Sequence, residues 1–135
     1  MATCQQQGAQ HNNHKNDSGT NQLFGLTTGL TGLWVSKFPH EELKATYNLL
    51  NKVLATMPKD AAYRVNTEKI INERCNLILS EPDVEKLEDK IGMGQIEEVL
   101  EQARHELELA RTMAKYRPWE PLVSREPEGQ YAWPI

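Results

Sequence analysis

Apolar side chains in the middle of this chain recur every three or four positions, which is the spacing of a helix with one buried face. The first run begins near Pro39, a residue suited to the first helical turn because its nitrogen carries no hydrogen that needs a partner. Its apolar positions are Leu43, Tyr47, Leu50, Val53 and Leu54. Pro58 cannot continue helical hydrogen bonding, so the pattern predicts a first helix that ends before it.

A second run follows Asp60, which is a candidate cap for the first turn of the next helix. Its apolar positions are Val65, Ile70, Ile71, Cys75, Ile78 and Leu79. The stripe is irregular, because Asn66, Thr67 and Asn72 interrupt it. Such a stripe is typical of a helix that touches two neighbours or bends near Thr67.

The segment from Ser80 to Asp83 has the form of a helix start, with a capping residue and with Pro82 at the first helical position. An apolar stripe of Val84, Leu87 and Ile91 follows until two glycines interrupt it. Gln95 then opens the most regular helical run, which Pro118 closes. The apolar face of this run consists of Ile96, either Val99 or Leu100, and then Ala103, Leu107, Ala110 and Met113.

We count three long helical segments that are joined by short connections. This number and spacing predict an all-α fold, an antiparallel three-helix bundle over residues 39–116. A bundle of about 75 residues buries only about 60–65% of its unfolded surface, so we expect modest stability from the bundle alone.

The segments outside the helices differ in composition. Residues 1–22 are polar and rich in Gln, Asn and His, and they predict a disordered tail because they bury too little apolar surface to offset chain entropy. Residues 23–38 are apolar and contain several glycines, which let a backbone approach another surface closely. Their candidate partner-binding residues are Leu26, Leu30, Leu33 and Trp34. We therefore predict an extended docking arm.

Residues 117–135 form a Pro- and Trp-rich C-terminal arm that holds two of the three Trp residues of the chain. Its candidate partner-binding residues are Trp119, Leu122, Trp133 and Ile135. A Trp on a Pro-stiffened segment loses little conformational entropy on binding, and buried Trp dominates the energetics of many interfaces. Packing of both Trp side chains onto the bundle is the less favoured alternative.

Composition narrows the class of partner. The chain has 135 residues, a net charge of −4 and no apolar run that approaches the ~20 residues needed to span a bilayer. A net negative charge disfavours nucleic acid as a partner. Cys4 and Cys75 lack a CxxC spacing and predict free thiols in a reducing compartment. The tail has neither the Arg-rich pattern of a mitochondrial presequence nor the apolar centre of a secretory signal.

No motif in the sequence predicts catalysis, a cofactor or a metal site. His105-Glu106 and His40-Glu41 begin like zinc-protease motifs, but each lacks the second His one turn later. Gly-rich phosphate loops and nucleophile-elbow motifs are also missing from the sequence. We therefore expect no catalytic residue, cofactor or metal ligand. We expect both histidines to lie on solvent-exposed faces of helices.

Residues 81–113 hold ten acidic and four basic side chains, a local balance of −6. A solvated helical face is the simpler interpretation of this charge. The alternative is a docking surface for a basic partner, because a charged patch speeds and orients encounter.

Several short segments together resemble one known family. They are LTTGLTGL at 26–33, PHEEL at 39–43, MPKDAAYR at 57–64, EPDVEKLED at 81–89, GQIEEVL at 94–100, RHELELAR at 104–111, PWEPLV at 118–123 and WPI at 133–135. In this order they are similar to the alpha-subcomplex subunit 5 accessory family of mitochondrial NADH:ubiquinone oxidoreductase, respiratory complex I. The resemblance covers about residues 26–135, and the polar segment before it is longer than family members usually carry.

This resemblance implies a non-catalytic accessory subunit that braces the matrix-side peripheral arm of complex I near the quinone-reducing region and supports its assembly or stability. The implied location is peripheral, on the matrix side of the mitochondrial inner membrane. The implied partners are core and accessory subunits of the peripheral arm, with an approach to an accessory subunit on the membrane arm. Electron transfer belongs to other subunits of the complex.

Two other functions stay open on the sequence alone. The tripeptide Ala62-Tyr63-Arg64 partly matches the Leu-Tyr-Arg motif of helical adaptors that bind acyl carrier protein, with Ala in place of Leu. A small enzyme is the third hypothesis, and the sequence shows no convergent set of acid, base, nucleophile and metal ligands that would support it.

Overall fold

The computed structural model describes residues 27–133, which form four α-helices and no strand. The helices are α1 (Pro39–Ala55), α2 (Ala62–Ser80), α3 (Val84–Ile91) and α4 (Ile96–Tyr116). The predicted all-α class is therefore confirmed for this part of the chain. None of these helices is long and apolar enough to cross a membrane. The tail at 1–22, Leu26 and Ile135 lie outside the described residues.

The number of helices differs from the three that we counted on the sequence. The run after Asp83 forms α3 as a separate helix of eight residues, which ends where Gly92 adopts a left-handed conformation with φ of 68°. The Gly92 amide donates to the Glu88 carbonyl at 2.8 Å and so closes the last turn. Glycine adopts this conformation without steric cost, so the chain leaves α3 here before α4 begins at Ile96.

Polar contacts at one end of the molecule show the direction of the helices. Just before α1, the Ser36 amide donates to Glu97 Oε1 in the first turn of α4, at 3.3 Å. In the first turn of α1, His40 Nε2 lies 2.8 Å from the carbonyl oxygen of Glu81, just after α2. The starts of α1 and α4 therefore lie beside the end of α2. It follows that α2 runs opposite to α1, and that α4 runs in the same sense as α1.

The core is centred on α1 and α4, which form the most extensive helix pair. Its buried residues from these two helices are Leu43, Tyr47, Leu50 and Leu54 of α1, with Ile96, Val99, Leu100, Ala103, Leu107 and Ala110 of α4. These are the positions of the apolar stripes predicted from the sequence. Each fully buried Leu, Ile or Val side chain stabilises the fold by roughly 1.5–3 kcal/mol relative to an exposed one.

The irregular stripe of α2 is explained by its contact with two neighbours, α1 and α3. Ile71, Cys75 and Ile78 are buried in the core, where Leu87 of α3 joins them. Thr67, which interrupts the apolar pattern, is itself buried. Three apolar positions of the predicted stripe are exposed instead: Val65, Ile70 and Leu79. The buried face of α2 is therefore only partly predicted by its apolar residues.

Two helix starts differ from the sequence-based expectation. The residue before α2 is Ala61, which makes no side-chain cap, so Asp60 is not the cap of α2. Ser80 belongs to the last turn of α2, where its hydroxyl donates to a carbonyl of the preceding turn at 3.1 Å. The cap of α3 is Asp83, whose carboxylate accepts the Glu85 amide at 3.1 Å. The Ser80 hydroxyl, which we expected to cap α3, thus makes its hydrogen bond within α2.

Two carboxylates satisfy free amides at the start of α4. Glu98 Oε2 accepts the Gln95 amide at 2.8 Å, and Glu88 Oε1 of α3 accepts the Ile96 amide at 2.8 Å. Gly94 has φ of 91°, and a Cβ at this position would lie 2.1 Å from Glu98 Oε2. Glycine at position 94 therefore suits the backbone conformation, and a side chain there would displace the flexible Glu98 carboxylate from its capping position.

Replacing Gly94 by Ala should destabilise the protein more than replacing Gly92 by Ala. Both positions have a positive φ, but only Gly94→Ala places a Cβ against the capping carboxylate. We expect Gly94→Ala to lower the free energy of unfolding, measured by urea denaturation, by about 1–3 kcal/mol. Gly92→Ala is the matched control, because the nearest neighbour of its Cβ would be the Asp89 carbonyl oxygen at 3.9 Å. Equal losses in the two variants would show that the Glu98 contact is irrelevant.

Candidate interaction surface

The N-terminal arm contains a closed loop at residues 28–33. The buried Thr28 donates its hydroxyl to the Leu33 carbonyl at 2.8 Å and accepts the Leu30 amide at 3.2 Å. Gly29 and Gly32 have φ of 74° and 75°, a region that glycine occupies without strain. The arm that we predicted as extended is therefore folded at this point, because Thr28 and the two glycines turn the backbone.

Hydrogen bonds hold this arm against the starts of α1 and α4. Gln95 Nε2 donates to the Thr28 carbonyl oxygen at 2.8 Å. The Ser36 hydroxyl donates to Glu42 Oε1 at 2.9 Å, and the Ser36 amide donates to Glu97 as described above. The arm is thus anchored at two points, one in the loop and one just before α1. These hydrogen bonds restrain its backbone without contributions from the exposed side chains of Trp34 and Phe38.

The large apolar side chains of the arm are mostly exposed. Trp34 is 88% exposed, Phe38 is 63% exposed and Leu30 is 43% exposed, whereas Leu33 is half-buried. Single exposed apolar residues are common on protein surfaces, but neighbouring ones on one short segment indicate an interaction site. We call Leu30, Trp34 and Phe38 the arm face.

The C-terminal arm begins where Arg117 adopts a left-handed conformation with φ of 52° and ends α4. Trp119 then packs, half-buried, against the core cluster. Beyond Trp119 the large apolar side chains are exposed, with Leu122 at 76% and Trp133 at 83%. We call four of them the C-terminal face: Leu122, Val123, Tyr131 and Trp133.

The two arms are attached at opposite ends of α4. Glu97 anchors the N-terminal arm at the first turn of α4, and Trp119 follows the last turn. A helix of 21 residues is about 30 Å long. The predicted partner-binding residues therefore lie on two arms whose points of attachment are about the length of α4 apart.

The eight predicted partner-binding residues differ in exposure. Leu30, Trp34, Leu122 and Trp133 are exposed, Leu33 and Trp119 are half-buried, and Leu26 and Ile135 lie outside the described residues. Sequence reasoning missed Phe38, whose backbone is restricted because it directly precedes Pro39 but whose exposure no local pattern indicates. It also missed the anchors Thr28 and Ser36, because a short polar residue in a loop has no sequence pattern that separates an anchor from a solvated side chain.

Two grooves flank the N-terminal arm. A groove of about 740 Å³ lies between the arm and the starts of α3 and α4, and one of about 480 Å³ lies between residues 32–38 and the helices α1 and α4. Acidic residues line both: Asp83, Glu85, Glu88 and Glu97 in the larger groove, and Glu42, Glu97 and Glu101 in the smaller. Lys37 lines both grooves, and Arg104 lines the smaller.

Arg64 is buried beside the connection between α1 and α2. One guanidinium nitrogen donates to the Met57 carbonyl oxygen at 2.5 Å, and Nε donates to Glu68 at 2.7 Å. The Tyr63 hydroxyl donates to the Glu106 carboxylate of α4 at 2.5 Å. In the Tyr-Arg pair that partly matches the adaptor motif, the half-buried Tyr63 and the buried Arg64 therefore both make hydrogen bonds within the bundle.

Two tyrosine hydroxyls have a raised pKa. Burial raises the pKa of Tyr63 well above its ordinary value of 10.0, and the nearby Glu106 carboxylate raises it further because it would repel a phenolate. Burial also raises the pKa of Tyr47, against the opposing effect of Arg74, whose guanidinium donates to the Tyr47 hydroxyl at 3.3 Å. Both hydroxyls therefore serve as neutral packing and hydrogen-bonding groups.

His40 and Cys75, which are of residue types that often act in catalysis, make structural contacts in this protein. His40, expected to be solvated, contacts the Glu81 carbonyl and joins α1 to the end of α2. Cys75 is buried in the core. Among residues 27–133, no group of three His, Cys, Asp or Glu side chains is placed to hold a metal ion. What the geometry offers is a small helical body with exposed apolar side chains on both of its arms.

The family model that matches this chain and the three relatives below all carry names from complex I. A profile described as "ETC complex I subunit conserved region" matches residues 32–98, from the arm to the first turn of α4. The chain is 53% identical over 113 residues to NADH dehydrogenase (ubiquinone) 1 alpha subcomplex subunit 5 of Bos taurus, which covers 84% of this chain and 97% of that protein. It is 50% identical over 109 residues to the probable subunit 5 of Caenorhabditis elegans, with coverages of 81% and 73%. A probable mitochondrial subunit 5 of Arabidopsis thaliana is 37% identical over 93 residues, or 69% of this chain and 55% of that protein.

Replacing Arg64 by Met should destabilise the protein, because the buried Met57 carbonyl then lacks its donor. We expect the free energy of unfolding in urea to fall by about 2–4 kcal/mol. Arg111→Met, on the exposed surface of α4, removes the same charge and should change it by less than about 0.5 kcal/mol. Unchanged stability of Arg64→Met, together with Arg64-dependent binding of acylated carrier protein, would favour the adaptor hypothesis instead.

The raised pKa of Tyr63 predicts a loss of stability in alkaline solution. Its stabilising contribution is complete below the ordinary pKa of about 10 and is lost as the pH rises towards the higher folded-state pKa. Tyr63→Phe removes the ionising group, so the free energy of unfolding of this variant should fall less between about pH 9 and about pH 11 than that of the wild type. Urea denaturation across this range measures the difference. Identical pH dependence of both proteins would contradict the assignment, and Tyr131→Phe is the control for an exposed tyrosine.

Proposed function

We propose that this chain, which belongs to the alpha subcomplex subunit 5 family of NADH dehydrogenase (ubiquinone), is a non-catalytic accessory subunit of mitochondrial complex I. It braces the matrix-side peripheral arm near the quinone-reducing region and supports the assembly and stability of that arm. Its partners are core and accessory subunits of the peripheral arm, with a further contact to an accessory subunit on the membrane arm. The names of the relatives support membership of complex I. The sequence resemblance supports the location near the quinone-reducing region and the partners there.

The observation that carries this proposal is the exposure of Trp34 and Trp133 on the two arms of a small helical body. Each indole leaves a large apolar surface in water when the chain is alone, and burying it against a partner is favourable. Two such anchors, on arms that are attached at opposite ends of α4, allow one small body to contact two neighbours. This is the arrangement that a brace requires.

Restraint of the N-terminal arm strengthens the case for Trp34 as an anchor. Thr28 and Ser36 fix the backbone on either side of it through hydrogen bonds within the arm and to α1 and α4. An anchor on a restrained segment loses less conformational entropy on binding than one on a flexible segment. The arm is therefore preorganised for a protein interface.

The non-catalytic role is supported by the places of the reactive side chains. His40 holds the start of α1 against the end of α2, Arg64 holds the α1–α2 connection, and Cys75 is packed in the core. Each of these side chains has a structural contact that accounts for its position. In this proposal, electron transfer belongs to other subunits of the complex.

Trp34→Ala and Trp133→Ala should each lower incorporation into complex I without lowering the stability of the isolated chain. A desolvated Trp anchor contributes about 2–4 kcal/mol to an interface, and both side chains are exposed in this structure. The measurement is the fraction of the variant that co-migrates with complex I on a native gel, in cells where the variant replaces the wild type. Urea denaturation of the purified variants gives their stability.

Leu109→Ala is the matched control, because Leu109 is an exposed apolar residue of α4 outside both faces. Trp119→Ala should lower both incorporation and stability, since Trp119 packs against the core. Wild-type incorporation of both Trp34→Ala and Trp133→Ala would contradict the proposed attachment through the two faces.

A further inference from the structure

We infer that the arm face binds a segment of a partner protein in which Lys or Arg side chains flank apolar ones. The inference rests on the proposed function and deepens it, because it names the partner chemistry at one of the two faces. The apolar part of the surface is Leu30, Trp34 and Phe38, and the charged part is supplied by the two grooves beside them.

The apolar part of this surface is not needed to hold the arm in place. Hydrogen bonds through Ser36, Gln95 and the Thr28 carbonyl join the arm to the helices, while Trp34 and Phe38 are mostly in solvent. A loop that depended on its aromatic side chains for stability would bury them against the core. The favourable burial of these two side chains is therefore available to a partner.

The charged part of the surface is acidic. Six carboxylates line the two grooves: Glu42, Asp83, Glu85, Glu88, Glu97 and Glu101. Among the described residues that line them, two are basic, Lys37 and Arg104, so the local balance is −4. Arg104 already pairs with Glu101 and Glu42, which leaves Lys37 as the main opposing charge near the larger groove.

Internal contacts do not cancel this negative charge. Asp83, Glu88 and Glu97 accept hydrogen bonds from backbone amides, which are neutral donors and bring no opposing formal charge. A Lys or Arg side chain of a partner would meet a complementary potential in the grooves, which speeds and orients encounter. Apolar side chains next to it would cover Trp34 and Phe38.

The same charge argues against two other occupants. Surfaces that bind a membrane combine exposed aromatic residues with basic ones, which attract anionic headgroups, whereas acidic grooves repel them. Nucleic acid is disfavoured for the same reason, because its phosphates carry negative charge. The arm face therefore fits a basic and apolar protein segment best.

The test uses the photo-reactive residue p-benzoylphenylalanine at position 34 in place of Trp34 and, in a separate variant, at position 133. Each variant replaces the wild-type chain in cells, complex I is isolated and irradiated, and the attached peptide is identified by mass spectrometry. We expect the position-34 adduct on a protein segment with net positive charge and with apolar side chains beside the basic ones.

A pair of charge reversals tests the role of the grooves. Glu85→Lys reverses one exposed carboxylate of the larger groove, and Glu73→Lys makes the same change of net charge on the exposed surface of α2, away from both grooves. We expect Glu85→Lys to lower the yield of the position-34 adduct about two- to fivefold at low ionic strength. Glu73→Lys should leave this yield unchanged, and the position-133 yield should be unaffected by either substitution.

Different outcomes separate this inference from the proposed function. An adduct at position 34 on an acidic segment, on lipid or on a second copy of the chain would overturn the inference, as would no adduct or equal effects of the two reversals. Adducts from position 133 to complex I subunits would in that case leave the proposed function standing. Absence of the wild-type chain from isolated complex I would contradict the proposed function itself.

Discussion

Packing of α1 against α4 is the interaction on which the rest of this structure depends. Leu43, Leu50 and Leu54 of α1 are completely buried in a cluster that α4 completes, where Ala103 and Ala110 let the two helices approach closely. Because the two helices run in the same sense, their first turns lie side by side at one end of the molecule. The polar groups of those first turns are what hold the N-terminal arm. The position of the arm is therefore a consequence of the core.

The acidic residues in the first turn of α4 have several roles at once. Negative charge is favourable at the start of a helix because of the helix dipole. Glu98 also accepts the Gln95 amide, and Glu97 also accepts the Ser36 amide from the arm. A charge pattern that resembled a plain solvated face in the sequence thus includes carboxylates that close the helix end and fix the arm. The proposed basic partner would use the charge that these hydrogen bonds leave uncompensated.

The two ends of the chain relate to the core in different ways. The N-terminal arm is attached through hydrogen bonds and keeps Trp34 exposed, whereas the C-terminal arm is attached through Trp119, which packs against the core. When an interface residue also stabilises the fold, a variant that fails to assemble has lost either the interface contact or the fold, and loss of assembly alone does not separate the two. Trp34 and Trp133 are free of this difficulty, which is why the proposed function depends on them rather than on Trp119.

Local patterns in the sequence were enough to predict the helices and much of the core. The spacing of Leu43, Tyr47, Leu50 and Leu54 marks the buried face of α1, because helical periodicity is a property of neighbouring residues. The same reasoning failed for Val65, Ile70 and Leu79, which are exposed on α2. The buried face of α2 includes the polar residues Thr67 and Arg64. Arg64 is buried because it donates to the Met57 carbonyl oxygen, a contact that cannot be read from the spacing of apolar residues.

What the sequence by itself determined is the all-α class, the helix-breaking role of its prolines and glycines, and the apolar character of its two arms. The tertiary structure decided which apolar residues stay in solvent and where the arms lie. The Ser36–Glu97 and Gln95–Thr28 hydrogen bonds join residues 61 and 67 positions apart. Such pairs meet only after α1 and α4 have packed, so their existence depends on the core and not on any local pattern. For that reason the exposure of Trp34 and the burial of Thr28 could be learned from the folded chain alone.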